Sequence, residues 1–590
     1  MVTFGDIEVV HKPISSLSLP DANYNGLVQE TTVIPAGFRK SPEHRAFPCN
    51  TIWERDTEIP LRDGTVLRGD VFRPEGTTEK VPIILVWTPY GKTGTGNFSL
   101  DMIQSRDGIP KDWLSGFECW ESPDPAEWVP HGYAIANVDA RGIFKSGGNH
   151  RWHGTPEGQD GYDTIEFLGQ LPWSNGRVTL MGNSWLGTAQ WYIAAERPPH
   201  LACIVPLEGL SDVYRETLCR GGVPYKPFWA FLRDHGLYGE NEQEDPVAMI
   251  DKYPLMNDYW EDKRAKADRI EVPAYILASM SSALHTIGST RCFEDIPHQR
   301  KWLRLSPTQE WHDLYQKENI ADVRRFCDFF MKDIQNGWEE TPRARISVLR
   351  FNQSPLVNLP FANWPPPESK YRSYYLSHGA ELASGPVSTT GKVSYKSDVP
   401  GMQMDEDDEA VTFSMTFTEK TTIMGASRAI LYMSCAEHDD MDVFVQLRKR
   451  DKNGKILRNL NIPLADMKLS SEEEVETINS LKYLGPSGIL RASHRALDPR
   501  LSKPHWPAHD RSRREVVPPG TIGRLEIGLW PAAIQFEAGE ALVLKVAGHH
   551  MTLAEFTPLR GLFTNSNKGQ HEVHFGGEYA SRLDIPFVEI

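Results

Sequence analysis

The fold is most clearly indicated by residues 177–191, RVTLMGNSWLGTAQW. This segment places Gly182, Ser184 and Gly187 directly after an apolar, strand-like run and directly before a stretch of helical character. In that context a serine is held on a sharp turn, and small neighbours are needed because the turn is strained and closely packed. The following helix directs backbone N–H groups towards a bound anion, so the Trp185 amide is a candidate oxyanion donor. The segment therefore predicts a nucleophilic serine on an α/β sheet.

Other short apolar runs predict the remaining strands of this sheet. They are too continuously apolar for strands with one exposed face, which is typical of central parallel strands. The runs are PIILVW (82–87), YAIANV (133–138), LACIVPL (201–207), PAYILA (273–278) and KWLRL (301–305). Helix-like stretches such as DGYDTIEFLGQL (160–171) lie between them, as parallel connections require. An antiparallel hairpin is predicted at residues 51–76, because Asp63-Gly64 suits a tight turn.

Changes in sequence character divide the chain into three predicted regions. Residues 1–210 and 269–340 form the α/β catalytic domain. Residues 211–268 interrupt the strand rhythm and are rich in aromatic side chains, which predicts a helical cap. From 341 to 590 short strands alternate with Gly/Pro turns and no long helical period occurs, which predicts a β-sandwich domain.

Composition narrows the classes of function. The 590 residues include 63 basic and 79 acidic side chains, a net charge of −16, so we expect no nucleic acid partner and no anionic membrane partner. The seven cysteines are scattered and never spaced as CxxC, so we expect free thiols, no metal and no cofactor. The chain has no long apolar stretch, and its start lacks signal-peptide character, so we expect a cytoplasmic protein that acts on a small molecule.

The motif GNSWLG (182–187), followed by Gln190-Trp191, resembles the X-Pro dipeptidyl-peptidase and cocaine-esterase family of serine hydrolases. The resemblance extends over most of residues 50–590. It includes TPYGK (88–92), VDARGIFKSGG (138–148), LEGLSDVYRE (207–216) and LRASHRALDPR (490–500). The family resemblance implies an α/β-hydrolase core, a helical cap, and a C-terminal jelly-roll-like sandwich that closes over the site. It also implies acyl transfer through Ser184, with the Tyr90 hydroxyl completing the oxyanion hole.

The other two members of a catalytic triad depart from the family pattern. Alignment to the family places Ser282 where the acid is expected and Glu310 where the histidine is expected. His285 follows three residues after Ser282, so the two roles can be exchanged between neighbouring loops. A triad is defined by geometry and not by chain order. We therefore predict a triad of Ser184, His285 and Glu310.

Other arrangements remain open at the level of sequence. His312 can act as the base with Asp313 as its acid, although His312 lies two positions late in the alignment. Glu208 or Asp212, after the preceding strand, can instead orient His285. If no base reaches the serine, the fold can serve a non-hydrolytic, cyclase-like or ligand-binding descendant.

The aromatic side chains predict a large apolar pocket roofed by rings. They include those of residues 211–268 together with Trp113, Trp120 and Trp128. Such a pocket favours an ester, amide or lactone of a bulky hydrophobic small molecule over a free dipeptide. Hydrolysis is the default outcome, and transfer to another acceptor, as in an acyltransferase, is the alternative. By analogy with the family, a homodimer is also expected.

Overall fold

A computed structural model describes residues 3–94, 96–405 and 409–590. Within these ranges the α/β domain is built on a mixed sheet of eleven strands. Numbered in chain order, these strands are β1 (Thr31–Ile34), β2 (Thr51–Pro60), β3 (Val66–Pro74), β4 (Val81–Thr88), β5 (Ala134–Asp139), β6 (Ser174–Asn183), β7 (Leu201–Leu207), β8 (Ala274–Ser279), β9 (Lys301–Ser306), β10 (Ala344–Val348) and β11 (Leu356–Phe361). Their order across the sheet is β11-β10-β9-β8-β7-β6-β4-β5-β3-β2-β1.

The six strands predicted as central and parallel are β4 to β9, and they pair with one another in parallel. Every residue of β4, β5 and β8 is buried, which explains their continuous apolar sequences. The predicted hairpin is also present, because β2 and β3 pair in antiparallel fashion. The α/β fold class is confirmed.

Helices cover this sheet, form part of the cap and, in the case of α10, lie in the C-terminal region. They are α1 (Pro125–Trp128), α2 (Thr155–Gly169), α3 (Trp185–Ala195), α4 (Pro227–His235), α5 (Pro246–Lys252), α6 (Asp258–Asp262), α7 (Thr286–Asp295), α8 (Glu310–Tyr315), α9 (Lys317–Lys332) and α10 (Leu464–Met467). Helix α9 buries Val323, Phe326, Cys327, Phe330 and Met331, the apolar positions at helical spacing. None of the helices in the described ranges is long and apolar enough to cross a lipid bilayer.

Residues 211–268 combine helices with short strands. A π-helical turn at Tyr214–Leu218 precedes α4, α5 and α6. The strands Tyr238–Gly239 and Glu242–Glu244 pair with Ser15–Ser16 and His11–Pro13, respectively. The predicted cap is therefore helical only in part, and backbone pairing ties it to the N-terminal segment.

The C-terminal part of the described chain is a jelly-roll-like β-sandwich. Its main strands are β12 (Lys370–Ser377), β13 (Glu381–Ala383), β14 (Gly391–Lys396), β15 (Ala410–Thr416), β16 (Thr421–Gly425), β17 (Arg428–Cys435), β18 (Asp442–Arg450), β19 (Ser487–Arg491), β20 (Gly523–Gly528), β21 (Ala532–Phe536), β22 (Ala541–Ala547), β23 (Gln570–Phe575) and β24 (Arg582–Val588). The structure differs from the predicted boundary at 340, because β10 and β11 extend the α/β sheet before the chain enters the sandwich.

Candidate active site

Ser184 lies on a strained turn between β6 and α3. Its backbone has φ 53° and ψ −113°, a conformation that L-residues rarely adopt. Tight packing holds the turn in place. A Cβ added to Gly182 would lie 2.6 Å from the Leu186 Cβ, and one added to Gly187 would lie 2.2 Å from the Leu207 carbonyl oxygen. Both glycines are therefore required by close approach, as the sequence motif predicted.

A histidine and a carboxylate lie next to this serine. His285 Nε2 is 3.3 Å from Ser184 Oγ, and His285 Nδ1 is 2.8 Å from Glu310 Oε2. Because the carboxylate accepts the proton of Nδ1, Nε2 is left without a proton and can accept one from the serine hydroxyl. The histidine is 2% exposed, so the contact is shielded from bulk water.

Two neighbouring loops place these side chains. His285 caps the start of α7 after β8, and its backbone N–H donates to Ser282 Oγ at 3.0 Å. Glu310 is the first residue of α8 after β9, where the Gln309 side chain accepts from the Trp311 N–H at 2.7 Å. Ser282, at the family's acid position, thus acts as a support for the histidine loop.

A second carboxyl group lies on the same side of the histidine ring as Glu310. Glu208 Oε2 is 3.8 Å from His285 Nδ1, beyond hydrogen-bond reach, and Glu208 Oε1 accepts from the Ser279 N–H. Burial raises the pKa of Glu208 well above its ordinary value, and the charge of Glu310 raises that pKa further. Glu208 is therefore held neutral next to Glu310, which is the carboxylate closer to the histidine.

Tyr90 lies next to Ser184, in the loop that follows β4. Burial raises the pKa of its hydroxyl well above the ordinary value, with further contributions from Glu121 and Glu310, while a hydrogen bond with Ser184 acts in the opposite direction. The phenol therefore keeps its proton. Its ring packs edge-on against Trp185, with 6.5 Å between ring centroids. A neutral phenol can donate one directed hydrogen bond to an oxygen near Ser184.

The position of Trp185 depends on a residue that the sequence did not single out. Glu157, in the first turn of α2, is 2% exposed and accepts from Trp185 Nε1 at 3.0 Å and from Trp87 Nε1 at 2.9 Å. Its other oxygen lies 3.0 Å from His153 Nδ1. Glu157 therefore fixes the side chain whose backbone amide follows the nucleophile. No local motif marks it, because its partners are far apart in the sequence.

The second predicted arrangement does not form. His312 Nε2 is 3.0 Å from Asp466 Oδ2 of the C-terminal domain, and Asp313 Oδ2 accepts from Arg304 Nη2 at 2.6 Å. His312 is in α8, two residues after Glu310, so its ring points to a different neighbour. The structure therefore brings neither His312 nor Asp313 together with Ser184, since both have other partners in the described chain.

A pocket lies next to Ser184, and its lining combines aromatic rings with polar side chains. The aromatic side chains that line it are Tyr90, Phe98, Trp120, Phe228, Phe231, Trp311 and Phe556. Most cap aromatics have a different role from the predicted one: Tyr259 and Trp260 are fully buried in the cap and do not line this pocket. Trp113 and Trp128 also lie outside it. The roof of rings is present, but loops distant in sequence supply part of it.

Two further acids face this pocket. Glu121 Oε1 accepts from Trp311 Nε1 at 3.0 Å, whereas Glu121 Oε2 is buried with no hydrogen-bond partner in the described structure. Burial raises the pKa of Glu121 well above its ordinary value. Glu555, from the C-terminal domain, accepts from the Tyr225 hydroxyl at 2.5 Å, and burial raises its pKa to about 7. Both acids are neutral in part or in full near neutral pH, which suits an apolar pocket.

The acids around His285 also form the one group in the described ranges whose ligand atoms lie as close together as a metal site requires. Glu208, His285 and Glu310 each offer one such atom, within 4.8 Å of one another. His285 uses Nδ1 towards both acids, and its Nε2 faces Ser184. This polarity, from acid through imidazole to hydroxyl, is what nucleophilic catalysis by a serine requires.

A serine at a strand–helix turn, backed by a histidine and a carboxylate on neighbouring loops of an α/β sheet, defines the class of α/β-hydrolase-fold serine hydrolases. Comparison with known families specifies the class further. The profile of the X-Pro dipeptidyl-peptidase (S15 family) matches residues 63–311, and that of the X-Pro dipeptidyl-peptidase C-terminal non-catalytic domain matches residues 336–584. The chain belongs to the X-Pro dipeptidyl-peptidase and cocaine-esterase family and is a serine hydrolase.

Individual relatives agree with this assignment. The chain is 32% identical to the cocaine esterase of Rhodococcus sp. (strain MB1 Bresler) over 207 residues, 34% of this chain and 32% of that protein. It is 22% identical to a Mycobacterium bovis protein that is named as a serine esterase. The match covers 90% of this chain and 95% of that protein. Among solved structures, a CocE/NonD family hydrolase from Staphylococcus aureus superimposes with a TM-score of 0.83 at 29% identity, covering 98% of this chain and 100% of that one.

Proposed function

We propose that this protein is an esterase that cleaves an ester of a bulky hydrophobic small molecule through an acyl-enzyme on Ser184. The observation that carries the proposal is the 3.3 Å contact between Ser184 Oγ and His285 Nε2. A histidine in this position, itself held by Glu310 at 2.8 Å, can take the serine proton as the oxygen attacks a carbonyl carbon.

The proposed acylation step assigns one role to each group. As Ser184 Oγ bonds to the carbonyl carbon, its proton passes to His285 Nε2, and Glu310 stabilises the imidazolium that forms. The negative charge that develops on the carbonyl oxygen is stabilised by the Tyr90 hydroxyl and the Trp185 amide. The imidazolium then returns the proton to the leaving alcohol as the ester bond breaks.

Deacylation repeats these steps with water as the nucleophile. His285 removes a proton from water, the hydroxide oxygen bonds to the acyl carbon, and Ser184 leaves with the proton restored. An alcohol in place of water would give an ester instead of an acid, so an acyltransferase would use the same groups. Product identity distinguishes the two outcomes, and hydrolysis is proposed as the main one.

The pocket supports a bulky apolar substrate. Phe228 and Phe231 of α4 and Phe556 of the C-terminal domain surround it, and Phe231 packs against Phe556 with 5.3 Å between ring centroids. Aromatic walls of this kind bind apolar acyl or aryl groups by burying their surface. Glu555, with its raised pKa, and the neutral Glu121 place little negative charge against such a group.

A fluorophosphonate probe tests the nucleophile. The intact mass of the wild-type protein should rise by one probe, whereas the Ser184→Ala variant should show no gain. His285→Ala should label slowly, and His312→Ala, the matched control from the neighbouring helix, should label like the wild type. Labelling that persists in Ser184→Ala, or that is absent from the folded wild type, would overturn the proposed mechanism. In the second case the binding-protein alternative would replace it.

A further inference from the structure

A second cavity lies between the base of the cap and the C-terminal domain, away from Ser184. Its walls include Arg215, Arg220 and Arg264 on the catalytic side and Trp506, Arg511 and Trp530 on the sandwich side. Among the described residues that line it, seven carry a positive charge and four carry a carboxylate. The lining therefore contains more cations than carboxylates, although the chain as a whole carries a net charge of −16.

Most of these cations have acidic partners. Arg215 pairs with Asp212 at 2.8 Å, and Arg291 pairs with Glu216 at 2.9 Å. Lys503 pairs with Asp295 at 2.7 Å. The excess positive charge thus resides on the arginines that have no carboxylate partner.

Arg511 is the first of these. It is 4% exposed, and its Nε and Nη1 atoms are buried with no hydrogen-bond partner in the described structure. No ion pair joins it to any described acid, and the neighbouring cations Arg215 and Arg491 add to the cost of its charge. An uncompensated buried guanidinium is destabilising, since it has lost its water without gaining an anion.

Arg220 is the second. Its guanidinium donates to the Ser487 hydroxyl at 3.1 Å and to the Ser487 carbonyl oxygen, and it lies 4.3 Å from the Trp530 ring centroid. These partners orient the group but carry no negative charge. Burial lowers the pKa of Arg220 to about 9.

The turn at Gly222 brings the two sides of this cavity together. Gly222 has φ +87°, and a Cβ added there would lie 2.8 Å from Arg511 Nη1 and 2.5 Å from a carbon of the His494 ring. A side chain at this position would occupy the space next to the guanidinium. The glycine therefore lets the backbone of the catalytic domain approach the Arg511 head group closely.

From this arrangement we infer that the cavity is a binding site for an oxyanion, a phosphate or carboxylate group held by Arg220 and Arg511 at the contact between the two domains. Guanidinium groups match the geometry of both anions and are the usual partners for them in partly buried sites. Such a ligand would supply the negative charge that the described residues do not. By contacting both domains, it would also stabilise their association.

Thermal unfolding and calorimetric titration of the full chain test this site. After exhaustive dialysis into chloride buffer, the wild type is titrated with sodium phosphate and, separately, with sodium acetate, each against sodium chloride at equal ionic strength. We expect a rise in Tm with at least one of the two anions and not with chloride. The anion that binds more tightly identifies the head group.

Three variants localise the binding. Arg511→Met and Arg220→Gln should each weaken the Kd by about 10- to 100-fold, the loss of one charged hydrogen-bonding partner. Arg500→Met is the matched control, since Arg500 lines the same cavity but is 84% exposed in its side chain and pairs with Asp498. Its Kd should not change. If Arg511→Met does not fold, Arg220→Gln still decides.

Two results would overturn the inference. One is a wild-type Tm that neither phosphate nor acetate raises above the chloride control. The other is binding that is unchanged in both Arg220→Gln and Arg511→Met. Fluorophosphonate labelling of Ser184 provides a separate readout, so failure here leaves the proposed esterase function untouched.

Discussion

Tyr90 illustrates how a single residue can be matched to its task by its surroundings. In the proposed mechanism its hydroxyl must donate a hydrogen bond and must not ionise. Burial, together with the nearby acids Glu121 and Glu310, raises its pKa well above the ordinary value, so the group is protonated throughout the range in which a histidine base works. The same acids that disfavour the phenolate do not prevent donation to a substrate oxygen.

At the scale of this residue, Tyr90→Phe should lower kcat by about 10²- to 10³-fold, the loss typical of one oxyanion donor. KM should change little, because the donated bond strengthens as the transition state forms. Steady-state kinetics on a chromogenic hydrophobic ester provide the measurement. Because the raised pKa keeps the phenol neutral, ionisation of Tyr90 should not lower kcat at alkaline pH. The alkaline part of the pH profile of kcat should therefore have the same shape in the wild type and in Tyr90→Phe. An equal kcat for the two proteins would rule out the assigned role.

The two acids around His285 give a second prediction at this scale. Glu310 lies 2.8 Å from His285 Nδ1, whereas Glu208 lies 3.8 Å away and is held neutral by burial. Glu310→Gln should lower kcat by about 10⁴-fold, since an amide cannot stabilise the imidazolium. Glu208→Gln, which replaces a neutral carboxyl by a neutral amide of equal shape, should retain most activity. The reverse order of effects would make Glu208 the catalytic acid.

At the scale of elements, β8 and β9 explain why acid and base can be exchanged. The two strands are parallel neighbours and end in register, with Ser279 opposite Ser306. Their following loops therefore lie side by side at the same edge of the sheet. A histidine in one loop and a glutamate in the other can meet in either order. The apolar pattern predicted both strands, and the family resemblance then pointed to the loops after them, where His285 and Glu310 lie.

Other features could not be read from local sequence. Glu157, Glu121 and Glu555 reach the site through contacts with residues far away in the chain, and none carries a motif. Strands β10 and β11 lie within the region predicted as the sandwich, yet they pair with the α/β sheet, because short strands followed by turns look alike whether they extend an α/β sheet or begin a sandwich. Periodicity reports local burial, and it does not report which sheet provides it.

The nucleophile turn gives the prediction at this scale. Gly187→Ala should destabilise the protein by about 1–3 kcal/mol or more, because the added methyl would lie 2.2 Å from the Leu207 carbonyl oxygen. The added methyl would also shift α3 and with it the Trp185 amide. Fluorophosphonate labelling of the folded variant, at temperatures below its Tm, should therefore be slower than that of the wild type. Gly385→Ala is the control, since a Cβ there meets nothing within 4 Å. Equal Tm and labelling rates for the two variants would contradict the packing argument.

At the scale of the whole molecule, the C-terminal domain contributes residues to the lining of the candidate site. The Asn461 carbonyl oxygen accepts a hydrogen bond from the Gln309 N–H at 3.0 Å, next to Glu310. Glu555 and Phe556 complete the pocket. The sandwich therefore positions the loop that carries the proposed acid. The homodimer expected from the family remains a prediction.

The pH dependence of substrate binding is a property of this domain arrangement. Glu555 has a pKa raised to about 7, so it is mostly neutral below that pH and mostly charged above it. Binding of a neutral, apolar ester should therefore weaken, with KM rising, as pH increases through about 7. Glu555→Gln should flatten this rise in KM while leaving the pH profile of kcat unchanged. A KM profile that is the same in the variant and the wild type would exclude Glu555 as its source.

The neighbouring ends of β8 and β9 have a consequence for how relatives are recognised. An annotation rule that demands a histidine after the last of these strands would discard this chain as inactive, although a histidine and a glutamate flank its serine. Some chains will carry a serine at the acid position, a histidine three residues after that serine, and a glutamate at the base position. Such chains should be grouped with the active hydrolases. A rule that requires each catalytic residue at one fixed position of a sequence alignment would miss these chains.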